Sequence, residues 1–107
     1  MAGKQMVANL IKQKKVVMIS KTYCPFCTKA KNALANYKIN PEEYEILEIE
    51  DRNDMDEIQN YMSEITGARS VPRVFIGGKF YGGGDEMMNM HRSKKLEPVL
   101  SNAGALL

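Results

Sequence analysis

The chain has 107 residues, of which 44% are hydrophobic and 26% are charged. These proportions are typical of a folded globular protein and exclude an intrinsically disordered segment, and the length fits one domain spanning residues 1–107. The 15 basic and 13 acidic residues leave a net charge of +2, which is too small a bias to indicate a nucleic acid partner.

Two cysteines, Cys24 and Cys27, are separated by only two residues. Small secreted domains join distant segments with several disulfides, so this spacing favours a reducing compartment, and we expect a cytoplasmic protein. The apolar stretch from Met6 to Ile11 is interrupted by Asn9 and followed by lysines, which argues against a signal peptide. Since no apolar run approaches membrane-spanning length, no membrane partner is expected either.

The first half of the chain predicts a helix, a strand and a second helix. Apolar side chains between Met6 and Ile11 fall on one helical face, so the first dozen residues predict an amphipathic helix. Val16–Ser20 predicts a strand, because its first four residues are continuously apolar and partly β-branched, which is typical of a central strand covered on both faces. Apolar residues then recur at helical spacing from Cys27 to Tyr37 and predict about three turns of helix before the break at Asn40-Pro41.

A second strand and a third helix are predicted next. The strand runs from Tyr44 to Ile49, and either Asp51 or Asn53 is expected to cap the helix that follows. Gly67 is expected to end this helix, because glycine adopts the left-handed conformation common at helix C-termini.

The last third of the chain predicts a hairpin and one final helix. Arg73–Ile76 and Lys79–Tyr81 flank Gly77-Gly78, a pair that suits the positive φ angles of a tight turn. The glycine-rich stretch Gly82–Asp85 then leads towards one last amphipathic helix around Leu96–Leu100. This order predicts an α/β fold with a four-stranded mixed sheet, made of a parallel crossover pair and an antiparallel pair, and with helices on both faces.

The Cys24–Cys27 segment lies where a strand ends and a helix begins. A thiol attacks a disulfide as its thiolate, and the unpaired N–H groups and positive dipole of a helix N-terminus stabilise such an anion. Lys21 adds positive charge nearby, and Pro25 can start the helix because it has no N–H to lose. Cys27, one turn further, can attack a mixed disulfide formed at Cys24 and is the predicted resolving thiol.

The cysteine pair allows two other interpretations. It could be half of a zinc site, but a closed site needs two further ligands and the chain has only His91 to add to the cysteines. It could also be a merely structural pair. The strand-to-helix context favours redox chemistry over both, and no metal site is predicted.

Three motifs resemble those of one family, the glutaredoxins. Lys21–Cys27 resembles the active-site loop, and Ser70-Val71-Pro72 and Gly82–Asp85 resemble the later two motifs, with a spacing that extends the resemblance from about Val7 to Leu100. The resemblance implies a thioredoxin-like fold and the reduction of protein disulfides and protein–glutathione mixed disulfides. Glutathione would be the electron donor, with glutathione reductase and NADPH acting indirectly, and the protein would be a monomer.

The resemblance also implies residues that contact glutathione at its glycine end. Lys21 and Gln59 match the family's contacts to the glycine carboxylate, and Arg69 is a further candidate. A carboxylate of this kind is bound by cations and by hydrogen-bond donors, and these side chains supply both.

The remaining implied contacts lie along the rest of the tripeptide. Val71 would pair its backbone with the cysteinyl residue, Pro72 matches the family's cis-proline, and Phe26 would shape the groove. The backbone N–H groups of Gly84 and Asp85 would hold the γ-glutamyl carboxylate at a helix N-terminus. The Asp85 carboxylate would also accept hydrogen bonds from the ammonium group of the ligand.

Two rival functions are set against the glutaredoxin interpretation. A thioredoxin-class reductase resembles Trp-Cys-Gly-Pro-Cys, whereas this chain has no tryptophan. An iron–sulfur cluster carrier would use Cys24 from two chains and two glutathiones as ligands. Pro25 argues against the carrier, because cluster-binding members of the family usually have serine or glycine after the first cysteine.

The chain departs from the commonest family pattern at three positions. Phe26 stands where tyrosine is frequent, Ser70 where threonine is frequent, and Gly84 where an extra cysteine often occurs. None of these changes removes a reacting group, so the departures bear on substrate preference and not on the reaction itself.

Overall fold

A computed structural model describes residues 2–107, with one mixed sheet at the centre. Its strands are β1 (Val16–Ser20), β2 (Tyr44–Glu48), β3 (Arg73–Ile76) and β4 (Lys79–Gly82), arranged in the order β2-β1-β3-β4. Strand β1 is parallel to β2 and antiparallel to β3, which is antiparallel to β4. The predicted α/β fold is therefore confirmed, including its parallel crossover pair and its antiparallel hairpin.

All five residues of β1 are buried, as expected of a central strand. Successive side chains point to opposite faces of the sheet. Val16 and Met18 pack into one hydrophobic cluster, and Val17 and Ile19 into a second cluster on the other face. Burying a side chain of this kind contributes about 1.5–3 kcal/mol, so this strand ties the two halves of the core together.

Helices cover both faces, as predicted. The helices are α1 (Ala2–Gln13), α2 (Pro25–Leu34), α3 (Met55–Thr66), α4 (Gly84–Arg92) and α5 (Leu96–Asn102). Helices α1 and α3 bury their apolar sides in the cluster of Val17 and Ile19, whereas α2, α4 and α5 cover the opposite face. Within residues 2–107, no helix is both long enough and apolar enough to cross a membrane.

The prediction that Asp51 or Asn53 caps α3 is wrong. Helix α3 begins at Met55, and the residue before it, Asp54, makes no side-chain capping bond. Its carboxylate pairs instead with Arg52, whose Nε lies 2.8 Å from Oδ1. Because the Asp54 carboxylate is paired with Arg52, it does not accept a capping hydrogen bond from the first N–H groups of α3.

The predicted glycine conformations are confirmed. Gly67 ends α3 with φ = 88° and donates its N–H to the carbonyl of Ser63. Gly77 and Gly78 connect β3 to β4 with φ angles of 60° and 82°, the left-handed values that a two-residue hairpin turn requires.

The final helical region is two helices, not the single helix predicted. Helix α4 ends at Arg92, and the chain turns at Lys94, which has φ = 63°. The N–H of Lys94 donates to the His91 carbonyl at 3.1 Å, and the N–H of Lys95 donates to the Met90 carbonyl at 2.9 Å. This hydrogen-bond pattern is the Schellman motif, in which the left-handed position is usually glycine. Because lysine occupies this position, the sequence lacks the glycine that usually indicates the end of a helix.

We expect Lys94→Gly to stabilise the protein by about 1 kcal/mol, because glycine adopts a left-handed conformation without steric cost. The free energy of unfolding in urea measures the effect. Lys95→Gly is the matched control: Lys95 has φ = −93°, so glycine only adds freedom to the unfolded chain and lowers stability. Equal destabilisation by both substitutions would contradict the assignment.

Candidate active site

The two cysteines lie at the start of α2, directly after the central strand. Cys24 is the N-cap residue, with extended backbone angles, and its Sγ accepts a hydrogen bond from the Cys27 N–H at 3.4 Å. Pro25 is the first residue of α2, as predicted. Both cysteines are free thiols; Cys24 is half-buried, whereas Cys27 is fully buried. Only Cys24 is therefore open to an approaching substrate.

The environment of Cys27 favours the protonated thiol. Burial raises the pKa of the Cys27 thiol above its ordinary value of 9.0, and the neighbouring Cys24 adds to this increase. The Lys21 N–H, 3.4 Å from Sγ, and the Ser20 side chain act in the opposite direction but do not outweigh burial. The second thiol is thus less reactive than an exposed cysteine until something stabilises its anion.

A carboxylate on the neighbouring strand end holds the loop that leads to Cys24. The Thr22 N–H lies 3.2 Å from Oε2 of Glu50, and the Thr22 hydroxyl donates to the same carboxylate. This hydroxyl contact is the main reason why the pKa of Glu50 is lowered. Sequence reasoning missed Glu50, although the carboxyl ends of parallel strands meet at one edge of a sheet and offer a signal for it.

A groove opens beside Cys24. The carbonyl oxygen of Val71 lies 3.8 Å from Cys24 Sγ, and the Val71–Pro72 peptide bond is cis, as predicted. The groove has a volume of about 290 Å³. It brings together five of the residues predicted to contact glutathione, namely Phe26, Val71, Pro72, Gly84 and Asp85. The wall on the far side is the N-terminus of α4.

The N-terminus of α4 lies against the backbone of the active-site turn. A Cβ atom on Gly84 would lie 3.1 Å from the carbonyl carbon of Phe26 and closer still to its oxygen. Any side chain at this position therefore forces the helix and the turn apart. This contact is a physical reason for glycine where the family often has a cysteine.

Two acidic residues occupy the first turn of α4. Asp85 Oδ1 lies 2.6 Å from Lys29 Nζ, and both side chains are well exposed, so the pair contributes little to stability. Glu86 accepts the Gly83 N–H at 2.6 Å and fixes the entry into the helix. Sequence reasoning missed Glu86, although an acidic residue three positions after a helix cap is a known signature.

The other three predicted contacts do not line the groove. Gln59 is buried, and its Nε2 donates to the Arg69 carbonyl at 2.8 Å, so its amide supports the segment before Val71. The Arg69 side chain is exposed and donates to Asn60 at 3.3 Å. Lys21 is half-buried beside Cys27. Direct contacts of Lys21, Gln59 and Arg69 with a ligand stay predictions.

Arg73 is a groove residue that sequence reasoning missed. Its Nε donates to the Ser70 carbonyl at 2.7 Å, its Nη2 donates to Ser70 Oγ at 2.8 Å, and its guanidinium lies 5.1 Å from the centre of the Phe80 ring. These contacts hold a cation at the rim of the groove. Its place directly after Pro72 is the only sequence signal for it.

We expect Cys24 and Cys27 to differ in alkylation by iodoacetamide. At neutral pH only Cys24 should react, and modification of Cys27 should increase as the pH rises above the ordinary thiol range, because its raised pKa keeps it protonated below that range. Mass spectrometry of the labelled peptides measures both sites. Urea-unfolded protein is the control, in which the two rates should converge. Equal labelling of the folded protein at neutral pH would contradict this assignment.

The chain is similar to known proteins over nearly its full length. Residues 16–81 match the family profile described as Glutaredoxin. A glutaredoxin from Vernicia fordii is 41% identical over 98 residues, which is 92% of this chain and 91% of that protein. The structure of oxidized glutaredoxin 2 from Chlamydomonas reinhardtii is 45% identical with a TM-score of 0.91, and the match covers 98% of this chain and 96% of that chain.

A buckwheat glutaredoxin–glutathione complex is 37% identical with a TM-score of 0.89, over 99% of this chain and 94% of that chain. These structural neighbours are glutaredoxins and have the thioredoxin fold, so the expected fold is confirmed. The matches in sequence and structure agree with the two adjacent thiols at the start of α2. The chain belongs to the glutaredoxin family of thiol oxidoreductases.

Proposed function

We propose that this protein reduces protein disulfides and protein–glutathione mixed disulfides with glutathione as the electron donor. The observation that carries the proposal is the position of Cys24, whose Sγ lies 3.8 Å from the Val71 carbonyl at one end of a groove. The groove ends at the N-terminus of α4, which begins at Gly84. A thiol, a free backbone edge and a helix N-terminus in this order fit an extended anionic peptide.

The groove supplies complementary groups for two parts of glutathione, the cysteinyl residue and the γ-glutamyl group. The backbone of Val71 offers strand-like pairing to the cysteinyl residue, whose sulfur then lies near Cys24. The first N–H groups of a helix lack intrahelical acceptors, so Gly84 and Asp85 can donate to the γ-glutamyl carboxylate. The exposed Asp85 carboxylate can accept from the ligand ammonium. The buckwheat relative crystallised as a glutathione complex supports this assignment.

For a glutathionylated protein the proposed reaction needs only Cys24. Its thiolate attacks the glutathione sulfur, a Cys24–glutathione disulfide forms, and the substrate protein leaves as a thiolate. A second glutathione, as its thiolate, then attacks the glutathione sulfur of this intermediate. Cys24 leaves as a thiolate, and the product is glutathione disulfide.

For a protein disulfide the proposed reaction needs both cysteines. Cys24 attacks one substrate sulfur, and the other leaves as a thiolate, which gives a mixed disulfide between Cys24 and the substrate. The thiolate of Cys27 then attacks the sulfur of Cys24, so that a Cys24–Cys27 disulfide forms and the reduced substrate leaves. Two glutathiones reduce this disulfide and are oxidised to glutathione disulfide.

The rest of the proposal concerns the cellular setting. Glutaredoxin potentials of about −200 to −230 mV are close to extraction-based values for the cytosolic glutathione couple, so the glutathione pool can drive the reaction. Glutathione reductase and NADPH would regenerate this pool. We place the protein in the cytoplasm, acting as a monomer in cell redox homeostasis, with glutathionylated and disulfide-containing proteins as its partners.

Serine variants of the two cysteines separate the two reactions. Cys24→Ser should abolish both, because it removes the nucleophile. Cys27→Ser should retain deglutathionylation of a glutathionylated peptide but lose reduction of a protein disulfide, which alone needs an internal resolving thiol. Turnover is followed through glutathione reductase and NADPH consumption. Activity that survives Cys24→Ser, or equal loss of both reactions in Cys27→Ser, would overturn the mechanism.

Gly84→Ala tests the role of the α4 N-terminus in the groove. The added Cβ overlaps the Phe26 backbone, so we expect a loss of about 1–3 kcal/mol in stability. Displacement of the helix N–H groups should also raise KM for a glutathionylated peptide by about tenfold.

The control for this variant is Gly67→Ala, at the end of α3. A Cβ on Gly67 would meet no packed neighbour within 4 Å in residues 2–107, although its φ of 88° strains any side chain. It should therefore lower stability and leave KM unchanged. An unchanged KM in Gly84→Ala would remove the helix N-terminus from the binding site.

A further inference from the structure

Ser20 is a buried polar residue with an unused hydroxyl group. It is the last residue of β1 and is fully buried, and its Oγ has no hydrogen-bond partner among residues 2–107. Buried polar atoms in proteins nearly always have a partner, so one that does not calls for an explanation. Its backbone is held in place, since the Ser20 carbonyl accepts the Ile49 N–H at 3.0 Å.

The geometry of the sheet directs this hydroxyl towards α2. Alternate residues of a strand share a face, so the Ser20 side chain lies on the same face as Val16 and Met18. That face packs against the buried side of α2, where Ala30 belongs to the same cluster. Cys27 lies on this side too, one turn before Ala30, and it is fully buried.

A backbone hydrogen bond brings the cysteine sulfur to the end of β1. The N–H of Lys21, the residue after Ser20, donates to Cys27 Sγ at 3.4 Å. The Ser20 side chain also favours the ionised form of Cys27, in the same direction as this N–H. The Lys21 N–H thus contacts the sulfur directly, and the buried Ser20 hydroxyl lies on the face of the sheet that Cys27 packs against.

The other charged and titratable groups near this site come from α2, from the adjacent strand β2 and from half-buried Lys21, the residue after Ser20. Glu48 of β2 is the register partner of Ser20, and its Oε1 is also buried without a hydrogen-bond partner in the described part of the chain. Its Oε2 lies 2.6 Å from Nζ of Lys31 on α2, so the carboxylate is already paired with a cation. The other thiol, Cys24, is half-buried and accepts the Cys27 N–H at 3.4 Å. Replacing Ser20 leaves all of these groups in place.

We propose that Ser20 is a positioning residue for the resolving step, and that its hydroxyl donates a hydrogen bond to the Cys27 thiolate. The proposal rests on the dithiol mechanism given above. Cys27 loses its proton to solvent, and its thiolate attacks Cys24; the Cys24–Cys27 bond forms as the bond from Cys24 to the substrate breaks. The Ser20 proton is not transferred. Through its hydrogen bond, the Ser20 hydroxyl stabilises the Cys27 thiolate, which burial disfavours.

Ser20→Ala tests this role, because alanine fits the space of serine and lacks only the hydroxyl. Reduction of a protein disulfide should slow by about tenfold at neutral pH, the loss expected for one hydrogen bond to a charged group. The alkaline rise of its pH–rate profile should move to higher pH. Deglutathionylation of a glutathionylated peptide should be unchanged, since that reaction uses only Cys24, and this reaction also reports that the variant is folded.

Thr66→Val is the matched control, since it also removes a hydroxyl group. Thr66 lies at the end of α3, where its Oγ1 donates to the Met62 carbonyl at 2.6 Å. This variant should change the rate of neither reaction. An unchanged pH profile and rate in Ser20→Ala, or equal slowing of both reactions, would overturn the role of Ser20. Cys27→Ser is measured in parallel. If Cys27→Ser still reduces the protein disulfide at the full rate, the dithiol mechanism itself fails, and the Ser20 proposal falls with it.

Discussion

The active site depends on the direct passage from a buried strand into a helix. β1 is covered on both faces, so its C-terminal end is held rigidly in the core. Only a short loop separates Ser20 from the first residue of α2, Pro25. The N-terminus of the helix must therefore lie close to the C-terminal end of β1. A thiol at the N-cap position receives an N–H from that helix without any charged side chain. The packing of β1 in the core thus positions the reactive thiol of Cys24.

The same constraint explains the groove. Helix α2 follows β1 directly, and α4 packs closely against its first turn because Gly84 has no side chain to separate it from the Phe26 backbone. The Val71 segment completes the groove from the other side and is supported by buried Gln59. Three segments far apart in sequence therefore meet at one thiol. Each is held by backbone contacts or buried groups, and the exposed ion pair at Asp85 contributes little.

Regular periodicity made most of the fold predictable. The apolar run of β1, the helical spacing after Cys27 and the Gly77-Gly78 turn each depend on local rules, and the structure confirms them. The exchange of the Asp54 cap for an ion pair depends on a competing side chain, and the end of α4 depends on a lysine in a position that favours glycine. Neither the ion pair of Asp54 nor the end of α4 can be predicted from the pattern of residue types.

The site divides in the same way. Cys24, Cys27 and the groove residues could be predicted because their motifs are contiguous in sequence. The roles of Glu50 and Arg73 depend on tertiary contacts with Thr22 and Ser70. The resemblance marks Gln59 as a ligand contact, which stays a prediction, and the structure adds that its buried amide donates to the Arg69 carbonyl in the loop before Val71. This supporting contact is tertiary, so the motif does not reveal it.

The unequal burial of the two thiols gives the proposed reaction its order. An exposed pair would compete for substrate, whereas in the proposed reaction a buried Cys27 acts after a substrate has been attached to Cys24. Burial also opposes the thiolate that Cys27 must form. A core built only for stability would place apolar side chains beneath Cys27, yet Ser20 and Glu48 put two partnerless oxygens on that face. Departures from local stability of this kind concentrate at functional sites, because chemistry requires polar groups where packing alone would exclude them.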